Sequence, residues 1–370
     1  MKDTKLVLMK MALLAMVAGC DGEVKQDTTG TGGTGGESTT SSGGTGGTAT
    51  TGGGGTGGTT TTTMTPSGPG GTLAIHVLRM GDTTPEGQLS STAWKGYGFD
   101  LDGKISTAAS VDLCKPAEGA NPSSVYPDGE NGIDNSFGKN VLPIFLALAS
   151  DFSTQINDAI DGGRFTVITS IEGIEPLATG TFLSKMYTAK FPDGASPSWD
   201  GLDAWPVRSD SLVGGDIANP KVQLPASQVT ADAAGSRVWQ SNPSADIQLV
   251  LPMAGLTLVL PIHHAYVQMQ LSDDNTKATL GRIGGVLDAE ELVAELAKLV
   301  GAFDPSLCPP SATFESIAQQ IRQASDILKD GSQDPAMTCN GISIGLGFDA
   351  DAAGLGPVFD APAAPDPCHP

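Results

Sequence analysis

Hydrophobic residues at helical spacing interrupt a mainly strand-like alternation of apolar and polar residues from residue 72 onward. Apolar positions three and four residues apart predict helices near 139–160, 288–300 and 311–329. A break is expected in the first helix at 150–153. The second helix begins with a capping pattern, because Asp288 is followed three residues later by Glu291 and both can accept hydrogen bonds from free amides.

Strand-period segments outnumber the helices. They lie at 73–79, 164–171, 247–262 with a break near 253–255, 265–271, 276–283 and 340–348. The polar run 272–275 between two of these segments predicts a hairpin. Together these patterns predict a β-rich α+β domain over 72–370, with an antiparallel sandwich or jelly-roll-like pair of sheets and several packed helices.

The first 71 residues lack such periodicity. Residues 1–19 combine three lysines with a short apolar run and predict a lipoprotein signal peptide, which ends immediately before Cys20. Cys20 follows Val17-Ala18-Gly19, so we expect it to be lipidated and to anchor the mature chain in a membrane. Residues 20–71 are rich in Thr, Gly and Ser and predict a disordered tether.

Charge narrows the partners that can be expected. The chain has 41 acidic and 20 basic residues and a net charge of −21; loss of residues 1–19 removes three lysines and one aspartate, which makes the net charge −23. Such a charge argues against nucleic acid as a partner. It is compatible with cation binding, although an acidic surface also serves solubility alone.

Two acidic segments suggest calcium. Asp100, Asp102, Gly103 and Ile105 follow the spacing of an EF-hand loop, but Gly98 and Ala109 stand where the first and last ligands belong. The segment 128–135 has suitable residue types in a different register. The candidate Ca²⁺ ligands are Asp100, Asp102, Asp128, Glu130, Asn131, Asp134 and Asn135. The alternative is that these residues form metal-free turns, which favour Asp, Asn and Gly.

Four further cysteines predict two disulfides in an oxidising compartment: Cys114, Cys308, Cys339 and Cys368. Three pairings are compatible with the sequence. A pairing of Cys308 with Cys339 across one predicted helix is favoured, which would join Cys114 to Cys368. The absence of a C-x-x-C pair argues against a zinc site or a redox motif.

Catalytic motifs are weak. Gly341-Ile342-Ser343-Ile344-Gly345 matches the G-x-S-x-G nucleophile elbow of α/β-hydrolases, but strand alternation runs through Ser343 where the motif requires a turn. His263 and His264 are adjacent in a predicted strand and should face opposite sides, so they are not expected to share a metal. Tryptophans at 199, 205 and 239 are candidates either for sugar stacking or for the core.

The run G-F-D-L-D-G, a cysteine, D-G-x-x-G-I-D-N and a later C-N-G-I-S-I-G-L-G-F resembles a family of predicted lipoproteins from myxobacteria and related social bacteria. These pieces are 98–103, Cys114, 128–135 and 339–348. The resemblance implies a place in the cell envelope, at the outer membrane or its periplasmic face, and no particular chemistry. We therefore expect a lipid-anchored, non-enzymatic binding or structural domain for glycan or protein, with an extracellular hydrolase that cleaves glycans or esters as the alternative.

Overall fold

The computed structural model describes residues 71–253, 256–360 and 366–368. The predicted signal peptide, Cys20 and all of the tether except Gly71 lie outside the described residues. The strands are β1 Thr72–Arg79, β2 Thr166–Ile171, β3 Gly180–Ala189, β4 Ala204–Arg208, β5 Val222–Ala231, β6 Arg237–Gln240, β7 Ala245–Met253, β8 Leu256–Leu271, β9 Lys277–Asp288, β10 Gly341–Ala352 and β11 Gly354–Phe359.

Short helices join and cover these strands. They are α1 Pro122–Val125, α2 Leu142–Leu148, α3 Phe152–Asp161, α4 Ala289–Ala297, α5 Val300–Phe303 and α6 Ala312–Gln323. Single turns of 3₁₀ helix lie at Ala93–Gly96, Glu130–Gly132, Ser209–Ser211 and Pro305–Leu307, and a π-helical turn at Phe137–Val141. The prediction of a strand-rich domain with a few packed helices is confirmed.

All eleven strands belong to one hydrogen-bonded sheet. Its neighbours run β11-β4-β3-β2-β1-β10-β9-β8-β6-β5, and β5 pairs again with β3. This second pairing closes part of the sheet on itself. The strands of the closed part are antiparallel to their neighbours: β1, β2, β3, β5, β6, β8, β9 and β10. Strand β4 branches from the end of β3 and carries β11 in parallel, and β7 pairs with β8.

The main core is shared by the sheet and the helices α2, α3, α4 and α6. Trp239 is fully buried there, and its indole N–H donates to Ser184 Oγ at 3.1 Å. Ser184 Oγ in turn lies 2.6 Å from Ser227 Oγ, so these buried polar atoms satisfy one another. A second, smaller cluster around Trp205 and Tyr187 packs under β4.

The helix ends agree with the sequence prediction in two places and differ from it in one. The first predicted helix is divided into α2 and α3 by Ala149–Asp151, close to the expected break. Asp288 caps α4 by accepting from the amides of Glu290 and Glu291. The third predicted helix was expected to reach residue 329, but α6 ends at Gln323, because the backbone of Asp326 and Ile327 bonds to Gly341 of β10 instead.

The favoured disulfide pairing was wrong. The structure joins Cys114 to Cys339 and Cys308 to Cys368. The segment before Cys339 pairs with Lys115, whose amide donates to the Met337 carbonyl and whose carbonyl accepts from the Cys339 amide, so Cys339 lies beside Cys114 and not beside Cys308. The pairing found instead fixes the loop that begins at Cys114 beside the start of β10.

Removal of either disulfide should destabilise the protein. The bridges close loops of 225 and 60 residues, and chain entropy predicts losses of about 5 and about 4 kcal/mol respectively in the free energy of unfolding. Denaturant titration of Cys→Ser pairs, Cys114/Cys339 and Cys308/Cys368, would measure both. Peptide mapping without reductant checks the connectivity; a Cys308–Cys339 peptide would contradict it.

Candidate metal centre

Two acidic loops, 98–106 and 128–135, lie against each other. The amide of Asp134 donates to the carbonyl of Phe99 at 2.9 Å, and the amide of Leu101 donates to Asp134 Oδ2 at 2.7 Å. The amide of Ser106 donates to Asp128 Oδ2 at 2.5 Å. The loop 128–135 therefore supplies two carboxylates that hold the backbone of the loop 98–106.

The loops rest on a strip of small residues on the outer face of β10. Ile342, Ile344, Leu346 and Phe348 point into the core, which leaves Gly341, Ser343, Gly345 and Gly347 on the other face. A Cβ on Gly345 would lie 2.1 Å from the carbonyl oxygen of Tyr97, and one on Gly347 2.3 Å from the Tyr97 ring. Only glycine allows the loop backbone to approach the strand this closely.

Asn135 connects the loops to this strand. Its side-chain amide donates to the carbonyls of Trp94 and Gly345 at 3.0 and 2.9 Å, and its Oδ1 accepts from the amides of Gly138 and Gly345. The residue is buried and its hydrogen-bonding capacity is used. Asn135 was predicted as a metal ligand; the structure places it as a connector between backbone segments.

Three of the predicted ligands converge. One carboxylate oxygen from each of Asp100, Asp102 and Asp134 lies within 4.8 Å of the others. Each carboxylate also accepts from one amide of the loop 98–106: Gly103 N–H donates to Asp100 Oδ1, Lys104 N–H to Asp102 Oδ1 and Leu101 N–H to Asp134 Oδ2. These bonds hold the side chains in place and leave a second oxygen on each.

Two side-chain oxygens of the loop 98–106 are buried without a hydrogen bond. Among the described residues, Asp102 Oδ2 and Ser106 Oγ are buried without a hydrogen-bond partner. Gly132 lies against the same loop, since a Cβ there would meet the Lys104 carbonyl at 2.7 Å and Asp100 Oδ2 at 3.3 Å. A buried oxygen without a donor is costly, and a bound cation removes that cost. The residues present therefore fit an oxygen-ligated metal ion.

Burial, together with repulsion between the acids, raises the pKa values of two aspartates at this site. Burial raises the pKa of Asp134 to about 9, with the charges of Asp326 and Asp102 adding to the effect. Burial also raises the pKa of Asp128 to about 7, opposed by the hydrogen bond from Ser106. A divalent cation would stabilise the ionised forms of these carboxylates.

The other predicted ligands stand apart. Glu130 and Asn131 are exposed on the short 3₁₀ turn. Asp128 is half-buried near the cluster, close enough for the charges of Asp102 and Asp100 to raise its pKa, yet it is outside the converging set of three. The structure thus narrows the seven predicted ligands to three carboxylates with Asp128 at their side.

Sequence reasoning missed a buried acid beneath the loops. Asp326 accepts from the amide of Ser343 at 2.8 Å and from its hydroxyl at 2.5 Å, and Ser343 Oγ accepts from the amide of Ser136. Burial raises the pKa of Asp326 to about 7. A single aspartate after a helix-like segment carries no pattern, so only the return of the chain to β10 shows its role.

This network also decides the role of Ser343. The hydroxyl is fully buried in a continuous strand, opposite Val286 of β9, and both its bonding directions are taken by Asp326 and Ser136. A nucleophile elbow requires an exposed hydroxyl on a strained turn. The G-x-S-x-G match is therefore part of the strip of small residues on β10 against which the loops pack.

The aromatic and histidine candidates are explained by packing, ion pairing or exposure. Trp205 and Trp239 are fully buried, so their rings are closed to a sugar. Trp199 stacks on His76 with ring centroids 3.9 Å apart. His263 Nε2 lies 2.9 Å from Glu291 Oε2, and His264 is exposed, with its amide donating to Asp246 Oδ1.

Comparison with protein-family models, with curated proteins and with solved structures finds no match to this chain. The resemblance to myxobacterial lipoproteins therefore stays a prediction. Among the described residues, no helix has the length and apolar character needed to cross a bilayer.

Without metal, the protein should lose stability as the pH rises from 5 to 8. The folded chain holds protons on Asp128, Asp134 and Asp326 that the unfolded chain releases above about pH 4. Each such carboxyl removes at most about 1.4 kcal/mol of unfolding free energy per pH unit until its folded-state pKa is passed, and Asp128 removes less because solvent screens its half-buried charge. Melting curves in chelator at pH 5, 6, 7 and 8 would show this.

Asp134→Asn provides the specific test. Only Asp134 of the three has a folded-state pKa well above 7, so this variant should flatten the fall in stability between pH 7 and 8. Asp193→Asn, at an exposed carboxyl, is the matched control and should leave the slope unchanged. An Asp134→Asn slope equal to that of the parent protein would contradict the assignment.

Proposed function

We propose that this protein is a lipid-anchored component of the cell envelope that displays a non-enzymatic binding or structural domain stabilised by Ca²⁺. The observation that carries the proposal is the convergence of Asp100, Asp102 and Asp134 from two loops that cover β9 and β10. An ion there would join the loops and complete their attachment to the sheet. The loops would then be held more firmly where calcium is present.

Calcium is the cation that suits these ligands best. It takes six to eight oxygen ligands in flexible geometry, from carboxylates, backbone carbonyls and water. Asp100, Asp102 and Asp134 would hold the ion, with Asp128 contributing charge nearby. The ion would neutralise carboxylates that otherwise raise one another's pKa values.

The envelope location rests on the sequence and on the cysteine chemistry. Two disulfides link the described cysteines, and such bonds persist in oxidising compartments outside the cytoplasm. Cys20 would carry the lipid and residues 20–71 would hold the domain away from the membrane surface, at the outer membrane or its periplasmic face. This placement agrees with the resemblance to myxobacterial lipoproteins.

The second candidate function is an extracellular hydrolase. Ser343 is closed off, which removes the support for an ester-cleaving reaction through that residue. A glycan-cleaving pair of carboxylates stays a prediction, as does glycan or protein as the partner. The sandwich or jelly-roll form also stays a prediction; opposite walls of the closed sheet that share one core would supply its two layers.

Calcium should raise the melting temperature of the purified protein. A free Ca²⁺ concentration one hundred times the dissociation constant should add about 2.7 kcal/mol to the unfolding free energy. Calorimetric titration and melting curves in calcium and in chelator measure the two quantities. Asp100→Ala and Asp102→Ala should abolish both responses, because each removes one of the three converging carboxylates.

Glu130→Ala is the matched control for this experiment. Glu130 lies in the same acidic segment but is exposed and outside the converging set. The Glu130→Ala variant should bind Ca²⁺ like the parent protein. Loss of binding in Glu130→Ala, or a flat titration of the parent protein, would refute the proposed site.

Replacement of Cys20 by serine should release the protein from membranes. The lipid attached to this residue is the proposed anchor, and stable anchoring requires more than one acyl chain. Membrane fractionation and metabolic labelling with palmitate, in a bacterium that processes lipoproteins, measure the effect. Cys20→Ser protein that still sediments with membranes in full amount would contradict lipid anchoring.

A further inference from the structure

A cavity of about 360 Å³ lies beside β7, within the size range of ligand sites. Runs of consecutive residues line it: 246–250 of β7, 186–188 of β3, 261–263 of β8 and 221–222 at the start of β5. Successive residues of a strand face opposite sides of a sheet. Lining by five successive residues of β7 therefore shows that the cavity follows the edge of that strand.

This edge of β7 carries no partner strand among the described residues, since β7 pairs only with β8. The register of β5 against β6, Gln228 opposite Gln240, continues to the hydrogen bond between Ala226 and Asn242. Extended by four residues, this register would bring Val222, where β5 begins, opposite Asp246, and both residues line the cavity. From Asp246 onward the position beside β7 is filled by the cavity.

The wall across the cavity is interrupted at the same level. Strand β3 pairs with β5 up to Met186 opposite Val222, and its next pair on that side is Ala189 with Val207 of β4. Tyr187 and Thr188 therefore face the cavity between two partner strands. The gap is a consequence of the branching of the sheet at β3.

A proline defines which backbone groups of β7 point into the cavity. Gln248 lies opposite Pro261 of β8, and proline has no N–H to donate. This pair therefore cannot exchange both hydrogen bonds, so Ile247 and Leu249 form the bonded pairs with β8. The N–H and C=O groups of Gln248 and Val250 point to the open edge.

The side chains around the cavity favour an extended peptide with a carboxylate. Val167, Met186, Leu249 and Ile262 provide an apolar floor. At the rim, Asp210 is paired with Arg208, and Asp246 accepts from the amide of His264. Lys221 lines the rim and, within the described part of the chain, forms no ion pair. Its charge helps to lower the pKa of Asp210, after the hydrogen bond from Arg208, and its side chain is exposed, so it can also contact an acidic group of a ligand.

We propose that this cavity binds an extended, carboxylate-bearing peptide of another protein, which adds as a strand to the edge of β7. The peptide would bond to the backbone of Gln248 and Val250, place apolar side chains on the floor and direct its carboxylate to Lys221. This inference rests on the proposed binding role and assigns that role a site and a class of partner.

The test uses the full-length protein in detergent micelles and a displayed library of random heptapeptides. Selected peptides are synthesised and titrated by calorimetry against the parent protein and three variants. Gln248→Pro removes the edge amide without the loss of a bond to β8, and Gln248→Ala keeps that amide as the matched control. Lys221→Ala removes the charge at the rim.

The expected result is a drop in affinity of at least tenfold for Gln248→Pro, a change below twofold for Gln248→Ala and a drop of about threefold to tenfold for Lys221→Ala. Alternate N-methylation of the peptide backbone should also abolish binding. Hydrogen exchange should show new protection of the amides of Gln248 and Val250 on peptide addition. Gln248→Pro should melt like the parent protein, because its lost amide makes no ladder bond.

Three outcomes overturn the inference. Equal binding to Gln248→Pro and Gln248→Ala, or binding without protection of Gln248 and Val250, shows that peptides bind elsewhere; the binding role then survives and this site fails. Failure of any peptide to bind at micromolar concentration also refutes the site, and if a glycan array is equally negative, the proposed binding role fails with it. Unfolding of Gln248→Pro would refute the assigned direction of its amide.

Discussion

The acidic loops depend on how closely a backbone can approach β10. The outer face of that strand presents Gly345 and Gly347, against which Tyr97 packs at a distance that excludes any Cβ. Asn135 then bonds to both the loop and the strand. Because the loops lie this close to β10, the carboxylates of both acidic segments are held near one another. The candidate metal site is therefore a consequence of how the loops pack on the strand.

The branching of the sheet at β3 organises the other half of the molecule. Closure of the sheet through the β3–β5 pairing encloses the main core, and the later β3–β4 pairing covers the outside of the same wall around Trp205. A strand that changes partner leaves a gap between the two partners. That gap, beside the open edge of β7, forms the cavity that we propose as the peptide site.

The candidate site could be predicted in part. Alternate acids followed by glycine marked Asp100 and Asp102 as ligands, since that spacing is a local property of one loop. Asp134 could be named but not ranked above Glu130, because the distinction depends on which side chain turns toward the other loop. Asp326 could not be found at all, because its burial arises from contact with a strand 17 residues away along the chain.

Local sequence alone determined the strand and helix periods, the hairpin at 272–275, the cap at Asp288 and the four cysteines available for disulfides, because each depends on neighbours a few residues apart. Only the tertiary structure decided the disulfide pairing, the closure of the sheet and the end of α6 at Gln323. These features join residues tens to hundreds of positions apart. Hydrophobic periodicity defines which face of a strand is buried, but it does not define which strand or loop will cover that face.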